Sequence, residues 1–403
     1  MQPLIPVLNA KSKRVVIITL LLMGCFDLML FKAIPAYHYI EAYGLLFILL
    51  ANRNEKFFYS RYIYLYLLFF LISCVYSQLY NGQPLPKTIG FSSAYLGMCF
   101  SYYILKTKIS YKDIVKILIF LAILYCVGYI IQWLIYPYPL FHGANNDGLS
   151  LERAYRIRVA GSICAYMLFF YGFNMYLTQK KIKYLAYSVL GFIPIIIMGF
   201  RTLTVLAVLL VFVMVVFIKK LSLKSVFYFV LLGGMALAAT QISLVRNKIE
   251  EMMERQRNEQ TFENGQYIRI IQYDYFTNEF FTKPREQFFG GGVPAGNTRY
   301  AQILRQGESD YGLYWVDWGL VGLSWIIGVP AVILLIVMYL HCAWRCKEPA
   351  IQFVRVTLIL LVVGSLFTTK ELYRSGNMLL ASFLFCCEYL YNKEKRNSLT
   401  PLK

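Results

Sequence analysis

Apolar runs long enough to cross a bilayer recur from one end of this chain to the other, and short basic clusters separate them in regular alternation. A helix needs about 20 apolar residues to span the hydrocarbon core. Runs of that kind fall near 15–33, 36–51, 62–80, 88–105, 114–136, 159–177, 184–200, 202–218, 225–242, 313–340, 351–368 and 372–391, giving twelve candidate spans. The second, seventh and eighth are short, which leaves ten or eleven as the alternative count. Composition agrees: 59% of the residues are hydrophobic and 15% charged, against roughly 45–50% and about 25% in an average soluble chain. The fold class is therefore all-α, a polytopic membrane helix bundle. Residues 1–242 hold helices one to nine, 243–312 form a large outer loop with short helices, and 313–403 hold helices ten to twelve.

Lys and Arg concentrate in cytoplasmic loops of membrane proteins. Here the clusters are Lys11/Lys13/Arg14, Arg53/Lys56/Arg61, Lys106/Lys108/Lys112, Lys180/Lys181/Lys183, Lys219/Lys220/Lys224, Arg345/Lys347 and Lys393/Lys395/Arg396. With twelve spans all seven lie on one side, which places both termini in the cytoplasm. The net charge of +19 restates this asymmetry and does not point to nucleic acid. Val15 to Phe31 is long and lacks a small-residue cleavage site, so it reads as a retained span. Most of the nine cysteines sit in apolar runs, where a thiol behaves as a small hydrophobe. His341, Cys342 and Cys346 lack a second matching pair and are not read as a zinc site. Neither metal nor cofactor is expected.

Ionisable groups gather in one place, Phe288 to Trp325, just before a long apolar run. Gly290, Gly291 and Gly292 give backbone freedom; Arg299, Arg305, Glu308, Asp310 and Asp317 follow. Asp317 lies seven residues after Asp310, about two helical turns, so both face one side if the span starts early. Upstream, SLVRNKIEEMMERQRNEQ (243–260) reads as a helix leaving the membrane, and Arg269 sits in an aromatic, half-apolar helix. Tyr267, Tyr273, Tyr275, Phe276, Tyr300, Tyr311, Tyr314, Trp315 and Trp318 crowd the same side. Such rings belong at membrane interfaces, and they are also faces on which sugars stack.

Elsewhere, Arg201 interrupts an apolar stretch from Tyr184 to Ile218. A turn between two short helices, with a forked donor poised for phosphate, fits the loop lengths better than one over-long helix. Arg153, Arg156 and Arg158 lead into the sixth span from the outer side, either facing something anionic or snorkelling to lipid phosphate. Lys370, Glu371 and Arg374 occupy the last outer turn with the same two readings. Asp27, Lys32, His38 and Glu41 near the first hairpin are either functional or a self-neutralising pair.

Three motifs carry a resemblance. Gly199-Phe200-Arg201-Thr202 is similar to the arginine turn between spans, and Arg269 ahead of the glycine run is similar to the second arginine, of the bacterial O-antigen ligase and Wzy-type O-antigen polymerase superfamily. Ligases also show a histidine followed by Asn, Ser or Gln, then nine residues, then Gly-Leu or Gly-Ile; here Glu308-Ser309 stands nine residues before Gly319-Leu320. The spacing is kept and the histidine is not. His38, His142 and His341 all lie elsewhere, which separates the chain from ligases and fits the polymerase branch. The resemblance covers roughly 155–330, with the first half agreeing only in hydropathy.

The resemblance implies a GT-C-like fold and a glycosyltransferase of surface polysaccharide or lipopolysaccharide biosynthesis in the bacterial inner membrane. Its donor and acceptor would be undecaprenyl-pyrophosphate-linked oligosaccharides, joined at the periplasmic face with inversion and without metal. Glu308 or Asp310 would act as base, while Arg201 and Arg269 would neutralise the leaving pyrophosphate. Arg158, Arg299, Arg305, Asp317, Tyr311, Trp315 and Arg374 would bind substrate. A chain-length regulator and a flippase are the implied partners besides the lipid bilayer; no nucleic acid is implied. The competing readings are a ligase acting on lipid A core and a lipid-linked oligosaccharide flippase. Transporters of that kind usually carry repeated halves with midplane sites, and no such repeat is visible.

Overall fold

The computed structural model describes residues 13, 37–55, 57–135, 138, 161–219, 268–367 and 376–399, and every regular element among them is helical. In chain order they are α1 (Tyr37–Ala51), α2 (Ser60–Asn81), α3 (Leu85–Gly90), α4 (Ser93–Leu96), α5 (Phe100–Thr107), α6 (Tyr111–Leu134), α7 (Ile163–Gln179), α8 (Lys183–Met198) and α9 (Arg201–Lys219). After residues outside the description come α10 (Ile268–Asp274), α11 (Pro284–Phe289), α12 (Arg299–Tyr311), α13 (Gly319–Ile327), α14 (Val329–Arg345), α15 (Gln352–Gly364) and α16 (Gly376–Leu399). Asp27, Lys32, Arg153, Arg156, Arg158, the 243–260 segment, Lys370, Glu371 and Arg374 lie outside the described residues, as does the 242/243 boundary.

Two described helices, α2 and α6, are long and apolar enough to cross a membrane alone. The other apolar helices are shorter, among them α8 and α14. Helix ends follow local chemistry. Gly82, at φ 62°, terminates α2, and Ser110 caps α6 by accepting from the Asp113 N–H at 3.2 Å. Lys108 and Lys180 close α5 and α7 in the left-handed conformation, which also sets a cation near the negative end of a helix dipole.

The expected break before Arg201 is present: α8 ends at Met198, Gly199 adopts φ 68°, and α9 begins at Arg201. Two other runs are more divided than their hydropathy suggests. The 88–105 run is split among α3, α4, a 3-10 turn and α5. The 313–340 run is cut at Gly328 (φ 89°), with Pro330 opening the second piece. Proline suits a first helical turn and cannot continue one.

The helices pack through small residues, as membrane helices do when backbones approach closely. In the α7–α8 hairpin a Cβ on Gly191 would sit 2.6 Å from the Phe169 nitrogen, and Ser188 Oγ donates to the Phe169 carbonyl at 2.9 Å. Helix α14 lies against α2 and α15, and α15 in turn lies against α7 and α9. Helix α16 closes the bundle over α5, α6 and α14.

Candidate functional site

The glycine run is a docking device. Gly291 and Gly292 donate their N–H groups to the carbonyls of Trp325 and Ile326 at 2.7 and 2.9 Å. Ser73 Oγ adds a bond to Ile326 O at 2.7 Å. The last carbonyls of a helix have no partner within it, and in lipid each must find one. The run therefore satisfies the end of α13 where the span breaks. Close approach demands glycine on both sides: a Cβ on Gly290 would meet the Gly328 nitrogen at 2.5 Å, and one on Gly328 would meet the Phe289 carbonyl at 2.5 Å.

A second device, unmarked in the sequence, holds the segment that follows. Gln83 is fully buried. Its amide donates to Val293 O and Thr88 Oγ1, each at 2.7 Å, and to Ser77 Oγ at 3.2 Å. Its carbonyl accepts from the Ala295 N–H and the Thr298 hydroxyl, both at 2.8 Å. Thr298 is the N-cap of α12, accepting from the Ala301 N–H. One glutamine thus ties the end of α2 to the start of the helix that carries Glu308. Asn81 reinforces it with a bond to Gly291 O at 2.9 Å, and the Tyr300 hydroxyl donates to Gly292 O at 3.2 Å. Burial holds the Tyr300 phenol well above its ordinary pKa, so it remains a donor.

Helix α12 distinguishes the two carboxylates. Successive residues rotate by about 100°, so Tyr300, Ala301, Leu304 and Gly307, all buried, define one face. Glu308 lies four residues after Leu304, on that face, and is half-buried, whereas Asp310, near the end of the helix, is exposed and accepts from Ser309 Oγ at 2.7 Å. The buried face looks toward Tyr275: a Cβ on Gly307 would lie 3.7 Å from its hydroxyl. Burial and the nearby Glu279 carboxylate raise the Tyr275 pKa, keeping that hydroxyl neutral.

Helix α12 ends at Gly312 in the left-handed conformation (φ 65°), and the chain then forms a 3-10 turn at Trp315–Trp318. Asp310 and Asp317 are therefore not on one helix, because the glycine turn separates them. Gln272 Nε2 donates to the Gly312 carbonyl at 2.8 Å and joins α10 to this turn. Arg269, on the same short helix, is half-buried, and Arg299 is exposed. Neither guanidinium is engaged by another described residue. Arg305 is engaged: it donates to the carbonyls of Ala301 (3.2 Å) and Gly296, bracing the loop. Tyr311 is 67% exposed, whereas Trp315 is only 3% exposed and packs into the core.

Arg201 reaches the same end of the bundle through the backbone. Leu203, two residues into α9, packs against Gly364 of α15, and Gly319 packs against the carbonyls of Ser365 and Leu366. Tyr166, Leu203, Leu360, Gly364 and Ser365 line an apolar cleft there. The start of α9 and the Gly319-Leu320 motif thus converge on one corner, although 118 positions separate Arg201 from Gly319 in the sequence.

A family model described as "Putative O-antigen polymerase" matches residues 8–260, more than half of the chain. The match takes in Arg158 and Arg201 and stops short of Arg269, so the first half carries family likeness beyond hydropathy. No curated protein matches the chain.

Proposed function

This chain belongs to the O-antigen polymerase family, and from that premise we propose that it elongates a polyprenyl-pyrophosphate-linked glycan at the outer face of the bacterial inner membrane. It is a membrane protein of surface-polysaccharide biosynthesis and an enzyme of glycosyltransferase type. In the proposed reaction an acceptor hydroxyl of one lipid-linked repeat unit attacks the anomeric carbon of another. The new carbon–oxygen bond forms as the bond to pyrophosphate breaks, with inversion. The hydroxyl proton passes to the Glu308 carboxylate, and the electron pair leaves with the pyrophosphate.

The observation that carries this reading is the contrast along α12: Glu308 lies on the buried face and is half-buried while Asp310 is exposed. A positioned base contributes typically about 10²–10⁴ in rate, and a half-buried carboxylate is held in place better than an exposed one. Arg201 and Arg269, with Arg158 and Arg299 beside the entering phosphates, would meet the charge that develops on the leaving group. Fixed guanidinium groups aimed at that charge act by electrostatic preorganisation and substitute for a divalent metal. Exposed Tyr311, half-buried Asp317 and Arg374 complete the proposed substrate contacts; buried Trp315 would act by supporting the turn that carries Asp317. Both termini would face the cytoplasm, and residues 243–312 would form the periplasmic loop. A chain-length regulator and a flippase would work beside it.

Purified protein in detergent tests this with a synthetic polyprenyl-pyrophosphate repeat unit, chelator and no nucleotide. A ladder of longer lipid-linked glycans is expected, lost in Arg201→Ala and Arg269→Ala. Transfer only to a lipid A core acceptor would make the enzyme a ligase instead. Movement of the lipid across liposomes without elongation would make it a transporter.

A further inference from the structure

We propose that Tyr273 and Trp318 form a stacking subsite for a pyranose ring of the glycan substrate; this rests on the polymerase reading above. Their ring centroids lie 4.9 Å apart at an interplanar angle of 47°. Tyr273 is 44% exposed, and Trp318 is half-buried beside it. Behind them Trp325 stands 6.1 Å from Tyr273 and 6.5 Å from Trp318, and buried Phe276 lies 5.1 Å beyond. The cluster is thus graded from a packed floor to an open rim.

Such a rim suits a sugar. Aromatic faces carry negative charge and edges positive, so the C–H bonds of a pyranose face are drawn to an exposed ring, and a ring already fixed from behind loses little freedom when covered. Arg269 lies four residues before Tyr273 on α10, and residues so spaced share a helix face. A ring beside a guanidinium one turn away matches a sugar beside its own pyrophosphate. The Gln272 bond to Gly312 O fixes both relative to the helix that carries Glu308.

An aromatic belt at the membrane surface would also place tyrosine and tryptophan here, and it makes a different prediction. Full-length protein in detergent is titrated with free repeat-unit oligosaccharide, released by mild acid from the host's own polysaccharide, while tryptophan fluorescence is followed. Elongation kinetics are measured on the same samples, with thermal unfolding as the folding control. Saturable quenching is expected for wild type and for Tyr273→Phe, and its loss is expected for Tyr273→Ala and Trp318→Leu. In elongation, Tyr273→Ala should raise KM about five- to ten-fold with kcat little changed, and Tyr273→Phe should restore KM.

No quenching in wild type would overturn the subsite, as would an unchanged KM in Tyr273→Ala or a Tyr273→Phe as impaired as the alanine variant. If wild type binds the oligosaccharide through Tyr273 yet elongates nothing, the subsite stands and the polymerase reading fails. If Tyr273→Ala does not fold, Trp318→Leu and the wild-type titration decide.

Discussion

The two ends of the bundle treat charge in opposite ways. At the end opposite the candidate site, the Arg345 guanidinium is sandwiched between the rings of Phe58 and Tyr391, at 3.8 and 3.5 Å from their centroids. Arg355 lies 3.6 Å from the Phe217 ring, and buried Glu388 accepts the Phe58 N–H with both carboxylate oxygens, at 3.0 and 2.9 Å. Charged side chains there hold the helices to one another. At the candidate site neutral groups do most of that work, through Gln83, Asn81, Ser73 and the glycine backbone, and Arg305 alone of the three arginines there braces the loop. Arg269 and Arg299 stay unengaged by described residues. Structure made from neutral groups leaves charge available for a substrate.

Exchanging one arginine from each end is the largest test of that contrast. Arg269→Ala should lower the elongation rate by about 10²–10³, the loss typical of one preorganised donor, without moving the thermal unfolding midpoint. Arg345→Ala should lower the midpoint and leave the rate of the folded fraction alone. A reversed pattern would erase the distinction between the ends.

Stability changes should follow the neutral clasp. Gly328→Ala forces a Cβ against the Phe289 carbonyl at a backbone angle of φ 89°, a strain of about 1–3 kcal/mol from the angle alone. Gln83→Ala leaves buried partners unpaired, at about 1–3 kcal/mol for such a group. Thermal unfolding in detergent reads both, and Gln83→Glu should not rescue, because a carboxylate cannot donate to Val293 O. Arg345→Lys should be milder, about 0.5–1 kcal/mol, since lysine keeps the charge and loses the flat face that stacks.

The smallest effect is a pH dependence. Burial raises the Tyr300 pKa in the folded protein above its unfolded value near 10. Its contribution to stability is then complete below about pH 10 and declines as pH rises through that value toward the folded pKa. Tyr300→Phe should flatten this alkaline decline in an unfolding series while removing the bond to Gly292 O.

How much of this was legible in the sequence depends on whether the signal was local. The α8–α9 break before Arg201 was readable, because the arginine interrupts a local apolar stretch too long for one span. The break at Gly328 had a signal too, the Gly-Val-Pro of 328–330, hidden inside a run whose hydropathy reads as one span. Gln83 had none: its partners Val293, Ala295 and Thr298 are 210 to 215 positions away, and a lone glutamine beside Gly82 and Pro84 reads as a turn. The glycine run was visible, but its role was not, because its partners belong to α13. Glu308 and Asp310 looked equivalent until their burial on α12 told them apart.

That assignment is the claim on which the mechanism turns, and one comparison tests it directly. Initial elongation rates of purified Glu308→Gln and Asp310→Asn are measured beside wild type on the same lipid-linked repeat unit, with unfolding midpoints as control. Glu308→Gln should lose about 10²–10⁴ in rate at an unchanged midpoint, while Asp310→Asn stays near wild type. A Glu308→Gln enzyme that elongates normally, or an Asp310→Asn enzyme that is the one to fail, would contradict it.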